Sequence, residues 1–319
     1  MAERQPARAS VHNMSPVWPS VSYEQWSDTC DTLHSHTQVL GKLAVALAPP
    51  EPQLQHAALR LTARGWETAP LPAPDGSGRL VVVLDLHAHE AIAEHSDGRT
   101  GRVPLTPNRS VGAVTRDVLA VVKELAGDVE IDPTPQEVQW STPLDVDEQH
   151  ATYNEQQVSA YFEAAGRAAM VLTQMRAPFR GRSTPVNAWW GSFDLAVSLY
   201  SGQPANPPSD DFIMRNSMDA QEVALGWWPG DPRHPAAAFY AFAHPAPPGF
   251  GEAKLSPPAA HFDPGLGEFI LKWDDIRTAD DPHAEALDFV RSAFLHACTI
   301  CAWDPALAAS AKGTPPPVH

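Results

Sequence analysis

Proline is the residue that most constrains how this chain can fold. It occupies 33 of 319 positions, about double the usual share. The prolines are not confined to one tail. They recur at Pro49 and Pro50, in 70–74, in 204–208, in 245–248, and at Pro257 and Pro258. Each locks φ and lacks an amide donor, so it ends a helix or falls outside a central strand. Such a chain folds from short elements joined by ordered loops.

Between these breaks the periodicities are readable. Residues 23–47 place Trp26, Cys30, Leu33, Thr37, Leu40, Leu43 and Leu47 at helical spacing and stop at Pro49-Pro50. Strand-like runs follow at 56–62, 66–71, 79–87 and 91–95, with Asp97-Gly98 as a turn. A second helix fits 111–125, with Ser110 as N-cap and Gly127 closing it. The later half repeats the order: a helix over 154–174 capped by Asn154, strands over 186–200, 222–228, 238–244 and 268–271, and a helix over 283–302. The expected class is therefore α+β, in two halves that are each a mostly antiparallel sheet flanked by helices, with duplication as a possible origin. The expected division is a disordered leader 1–17, a first half 18–131, a polar linker 132–150, a second half 151–304 and a disordered tail 305–319.

Composition excludes some functions. The net charge of −16 argues against nucleic acid and anionic membrane surfaces, which need basic patches. No pure apolar run approaches the 18 or more residues of a membrane span, and residues 80–84 are strand-sized. Arg4 and Arg8 precede no apolar segment, so no signal peptide is expected. Three cysteines, an odd number, point away from a disulfide framework and towards the cytoplasm. The loops that cradle nucleotides, the zincin helix and the hydrolase serine elbow have no match.

The densest candidate segment is 183–197, where Asn187, Ser192 and Asp194 sit among Trp189, Trp190 and Phe193. Read as one strand, it would aim Trp190, Ser192 and Asp194 to one side. A carboxylate among aromatics acquires a shifted pKa and can serve as acid or base, although capping a turn explains Asp194 as well. Glu222, entering a strand that ends in Trp227-Trp228, is the expected second carboxylate of an acid–base pair. His34 and Gln38, four apart on the first helix, share a face, whereas His34 and His36 do not. His87, His89 and His95 could form a zinc site but read more simply as turn residues. Cys298 and Cys301 have redox spacing inside a helix, where no source of a low thiolate pKa is evident.

Several blocks resemble an uncharacterised family of bacterial cytoplasmic proteins, the domain of unknown function 5996 family. They are Trp18-Pro19, Thr32 to His34 with Thr37-Gln38 and Gly41-Lys42, then 183–197, 239–250 and 267–271. The resemblance runs from about Trp18 to Trp303. It implies retention of His34, His56, Asp194 and Glu222, and departures at Asn187 and Gln221, where the family pattern has histidine. The favoured expectation is an enzyme for a small polar molecule, with Asp194, Glu222, His34 and His56 as catalytic candidates in a cleft between the halves. Gln38, Asn187, Trp190, Ser192 and Tyr240 are the candidate substrate contacts. No cofactor is singled out. A non-catalytic binding protein and a metalloprotein using His34, His56 and Glu222 are the alternatives.

Overall fold

The structure is a computed structural model that describes residues 17–310; most of the expected leader and the last residues of the tail lie outside it. The elements are α1 (Tyr23–Leu47), β1 (Arg60–Leu61), β2 (Gly65–Glu67), β3 (Leu71–Pro72), β4 (Arg79–Asp85), β5 (Glu90–His95), β6 (Thr100–Pro104), α2 (Val111–Ala126), α3 (Glu155–Arg176), β7 (Asn187–Trp189), β8 (Asp194–Pro204), α4 (Phe212–Ser217), β9 (Ala220–Trp228), β10 (Ala238–His244), β11 (His261–Asp263), β12 (Glu268–Lys272), α5 (Trp273–Ile276), α6 (Pro282–Ile300) and α7 (Pro305–Ser310). The tail expected from 305 thus begins with a short helix.

Two antiparallel sheets result. The first runs β1-β2-β4-β5-β6, with β3 also paired to β4, and the second runs β11-β12-β10-β9-β8-β7. Each half is a long helix, an antiparallel meander and another helix, so the chain is α+β in two halves. The caps are those expected: Ser110 accepts from the Ala113 amide, Asn154 accepts from the amides of Gln156 and Gln157, and Gly127 closes α2 at φ 97°. Proline explains the breaks. Pro49 and Pro50 follow α1, and Pro52 opens a 3-10 turn through Leu54. That turn holds Gln53 and Leu54 at positive φ, so the expected strand 56–62 shrinks to Arg60–Leu61. The run 66–71 splits into β2 and β3, and 186–200 splits into a β7–β8 hairpin.

The two halves are joined at an edge and through their core. Leu59 and Ala188 exchange both backbone hydrogen bonds (3.1 and 2.9 Å), linking β1 to β7. One apolar cluster takes in α1, α2, α3, α6 and the inward faces of both sheets. At its centre Trp66 of β2, Tyr161 of α3 and Phe193 of the hairpin turn stack at 5.1–5.3 Å, with Trp66 Nε1 donating to Tyr161 Oη at 3.2 Å. Residues 132–150 contain no helix or strand, yet Leu144 and Asp147 are fully buried. That segment is packed against the halves rather than strung between them. Among the described residues no helix is long and apolar enough to cross a membrane.

Strand alternation gives the second sheet two unlike faces. Leu195, Val197, Leu199, Val223, Leu225, Trp227, Phe239, Ala241, Phe269 and Leu271 join the main core. The opposite face carries Ala196, Trp228, Ala238, Tyr240 and Ile270 as a separate small cluster, flanked by Trp189, Phe242 and Leu266.

Candidate functional site

That second face is the floor of a cavity of about 540 Å³. Strands β8, β9, β10 and β12 supply Asp194, Ser198, Tyr200, Glu222, Ala224, Tyr240, Phe242 and Glu268. Its walls are Gln53–Gln55 from the first half, Glu137 from the 132–150 segment, α4, and the loops carrying Asp231, Arg233 and Leu266. The cleft expected between the halves is therefore mainly a surface of the second sheet, with the first half contributing only part of the rim.

At one end Asp194 opens β8. It is 5% exposed, and both of its oxygens are engaged: Ser192 Oγ donates to Oδ1 and Tyr240 Oη donates to Oδ2. Burial nevertheless pushes its carboxyl up to about 6, against the opposing pull of those hydroxyls. Glu268 of β12 is raised to about 7 by burial and then by the charge of Asp194, with Arg233 opposing. Glu137, exposed on the rim, is pushed in the same direction by desolvation and by Asp194, an effect that solvent screening moderates. The charge of Asp194 thus acts on both of the other carboxylates across the same space. Arg233 is the guanidinium on the wall, and it is held by Asp231 at 2.7 Å.

Glu222 lies at the other end. It pairs across the sheet with Tyr200, six residues beyond Asp194 on β8, so the two backbones stand about 20 Å apart at ordinary strand rise. It is 4% exposed and raised to about 7, by burial first, with the Ser198 hydroxyl and Arg182 opposing and Asp219 reinforcing. Arg182 stacks over the Tyr200 ring at 4.2 Å and donates to Gln53, which in turn donates to Asp219. Asp194 and Glu222 thus share a cavity without forming the close acid–base pair expected. The carboxylates nearest in effect to Asp194 are Glu137 and Glu268.

Two further candidates act from beneath the site. His34 is fully enclosed, and its Nε2–H donates to the carbonyls of Trp190 (2.9 Å) and Gly191 (3.0 Å). Burial lowers its pKa to about 4, so the ring is neutral. One turn along, Gln38 accepts from the Gln136 amide (2.8 Å) and donates to the Gln136 carbonyl (3.0 Å). The shared face of α1 therefore fixes the β7–β8 turn with one side chain and the residue before Glu137 with the other. Gly191 completes the fit, because a Cβ there would lie 2.4 Å from a Glu137 carboxylate oxygen. His34 and Gln38 position cavity groups and do not line the cavity.

Other residues fall differently from the expectation. Trp190 belongs to the hairpin turn and not to a strand, so it does not share a strand face with Ser192 and Asp194. Its indole N–H donates to the Ala57 carbonyl at 3.1 Å, and its ring covers Gly41, where a Cβ would sit 2.1 Å away. His56 accepts from the Glu51 amide at 3.0 Å and closes the loop behind Gln53–Gln55. Asn187 is buried between Arg60, which donates to its oxygen, and Gln55, to which it donates at 3.1 Å. Gln221 alternates away from Glu222 and takes a hydrogen bond from Ser201, so positions 187 and 221 do not meet in one site. His34, His56 and Glu222 occupy three separate environments. His89 bonds Tyr153 and His95 faces Ser77 and Asp97, which separates the histidines of that strand turn. Among the described residues no three His, Cys, Asp or Glu side chains are arranged to hold a metal.

Sequence reading missed Glu137 and Glu268. Glu268 carried a signal, since it begins a strand-forming run in which alternate residues face outward. Glu137 carried none, because its placement depends on the adjoining Gln136 being held by Gln38, 98 positions before it.

A family model described as a family of unknown function (DUF5996) matches residues 18–310. No curated protein and no solved structure matches the chain.

Proposed function

The chain belongs to that family, whose description names no reaction, and from the cavity we propose an enzyme that binds a small polar molecule and moves protons on it with carboxylates. The observation that carries this reading is the grouping of Asp194, Glu137 and Glu268 in one concave space, each held above the usual carboxylate range, Asp194 by burial and the other two by desolvation and then by the charge of Asp194. Groups crowded in this way do not all ionise together, so one can accept a proton while a neighbour donates. Asp194, oriented by Ser192 and Tyr240, is the assigned base, and Glu268 the acid. Trp189, Trp228 and Phe242 provide apolar wall, and Glu222 holds the far end of the ligand. A cytoplasmic location is part of the proposal, supported by three free cysteines.

The test begins with a thermal-shift screen of small polar molecules, followed by mass spectrometry of each hit after incubation with the protein. Asp194→Asn and Glu268→Gln are expected to keep the melting temperature within a few degrees and to abolish conversion. Conversion at the original rate by both variants would overturn the assignment. One observation favours a second reading, a binding protein without turnover: both oxygens of Asp194 are already occupied by hydroxyls. That reading expects stabilisation by the hit with no product.

A further inference from the structure

The charge pattern of the cavity narrows the class of its occupant. Six carboxylates line it (Glu137, Asp194, Glu222, Asp231, Asp263 and Glu268) against one guanidinium, Arg233. Arg233 is already neutralised by Asp231. Asp263 is spent on a turn, accepting from the amides of Gly265 and Leu266. That leaves two acidic poles. Asp194, Glu137 and Glu268 form one, and Glu222 forms the other, with Ala196, Ala224 and Phe242 on the floor between them and Met214 and Met218 on the α4 side. The Glu222 pole is the more telling, because a carboxylate 4% exposed faces the cavity with the Ser198 hydroxyl beside it, Asp219 and Arg182 acting only from a distance with opposite signs, and no cation within ion-pair distance among the described residues. A buried charge without a partner is costly, and an incoming cation supplies the partner.

We propose that the occupant is an elongated organic cation, a linear di- or polyamine with ammonium groups at both ends and a methylene chain across the apolar floor. This assignment rests on the reading of the cavity as a small-molecule site and adds its substrate class. A compact monovalent cation would satisfy one pole and leave the other unpaired. An anion would meet an unfavourable field at both ends. Aromatic wall at Trp189 and Trp228 suits the same ligand, since ammonium and its adjacent methylenes pack well on ring faces. Binding also has a proton signature: carboxyls part-protonated in the free cavity ionise when an ammonium arrives, so protons are released.

Isothermal titration calorimetry with spermidine tests this, using butylamine as the single-charge control. Spermidine is expected to bind with proton release, measured from the dependence of heat on buffer ionisation, and more tightly at pH 8 than at pH 6. Glu222→Gln and Glu268→Gln, one at each pole, are each expected to weaken it at least tenfold with circular dichroism unchanged. Butylamine is expected to bind more weakly and to respond to only one of the two variants. Spermidine binding that neither variant weakens, or that releases no protons, would show general attraction to an acidic chain and overturn the proposal. If neutral or anionic molecules fill the cavity and spermidine does not, the substrate class is wrong while the small-molecule reading stands. If no molecule of any charge binds, both readings fall.

Discussion

The outer faces of the two sheets are built alike and solvated differently. On the first sheet the carboxylates of that face are matched by arginines: Arg64 reaches Glu94 at 3.0 Å and Glu67 at 3.5 Å, and Arg102 reaches Glu90 at 2.6 Å. These pairs are open to water. On the second sheet Asp194, Glu222 and Glu268 stand on the corresponding face without such partners, under a roof made by Gln53–Gln55, Glu137 and α4. Both sheets satisfy the same core on their inner sides, so the difference is not needed for folding. An uncompensated, covered set of carboxylates is what the proposed ligand chemistry needs, and a compensated, open set is ordinary surface.

Four substitutions probe the contrast between the two sheets. The largest expected effect concerns whether the sheets are separate units at all. Trp190→Ala removes the indole that lies on α1 and bonds Ala57, and should cost about 3–5 kcal/mol. Urea unfolding should still show one transition by every probe, because one core serves both halves; two transitions would divide them. Next, Gly226→Ala sets a Cβ 2.2 Å from the Tyr240 ring. It should destabilise by about 1–3 kcal/mol, displace Tyr240 from Asp194 and remove ligand binding.

Glu222→Gln should do the reverse of most core substitutions. The carboxyl is raised from the usual 4.5 to about 7, so the folded protein holds its proton over a range where the unfolded chain has lost it. The stability linked to that proton is present at low pH and disappears as pH rises through about 7. The variant cannot ionise, so it should match the parent at pH 4 and exceed it at pH 8 by roughly 1–3 kcal/mol, as thermal unfolding across pH would show. Smallest of all, Glu94→Gln on the open sheet should change stability by no more than about 1 kcal/mol at any pH and leave binding in the cavity untouched. A fall in affinity there would contradict the contrast.

Much of the framework is legible in the amino-acid sequence, and the reasons are local. α1 has one apolar periodicity and a proline stop, and Ser110 and Asn154 cap the helices that follow them. The split of 186–200 is hard to read, because Trp190 and Phe193 around Gly191-Ser192 look like strand residues, and the turn depends on Phe193 at φ 56° held in a stack with Trp66 and Tyr161. Asp194 and Glu222 both stand out in the sequence, yet their separation needs the register between β8 and β9, which neither segment contains alone. His34 stands out for its chemistry and proves to serve geometry. Glu137 lies in a polar, proline-bearing stretch whose local character is that of a connector.

His34 and Gln38 occupy successive turns of α1, and each grips a backbone from a different part of the chain. The helix therefore works as a spacer whose phase matters. One residue inserted between them would swing Gln38 through about 100°, releasing the Gln136 backbone while the grip on Trp190 and Gly191 persisted. Glu137 would then lose its registration with Asp194. This turn of helix should accept substitutions of similar shape but no change in length, so natural or engineered variation in loop size is expected to fall elsewhere, with the five positions from 34 to 38 kept in count.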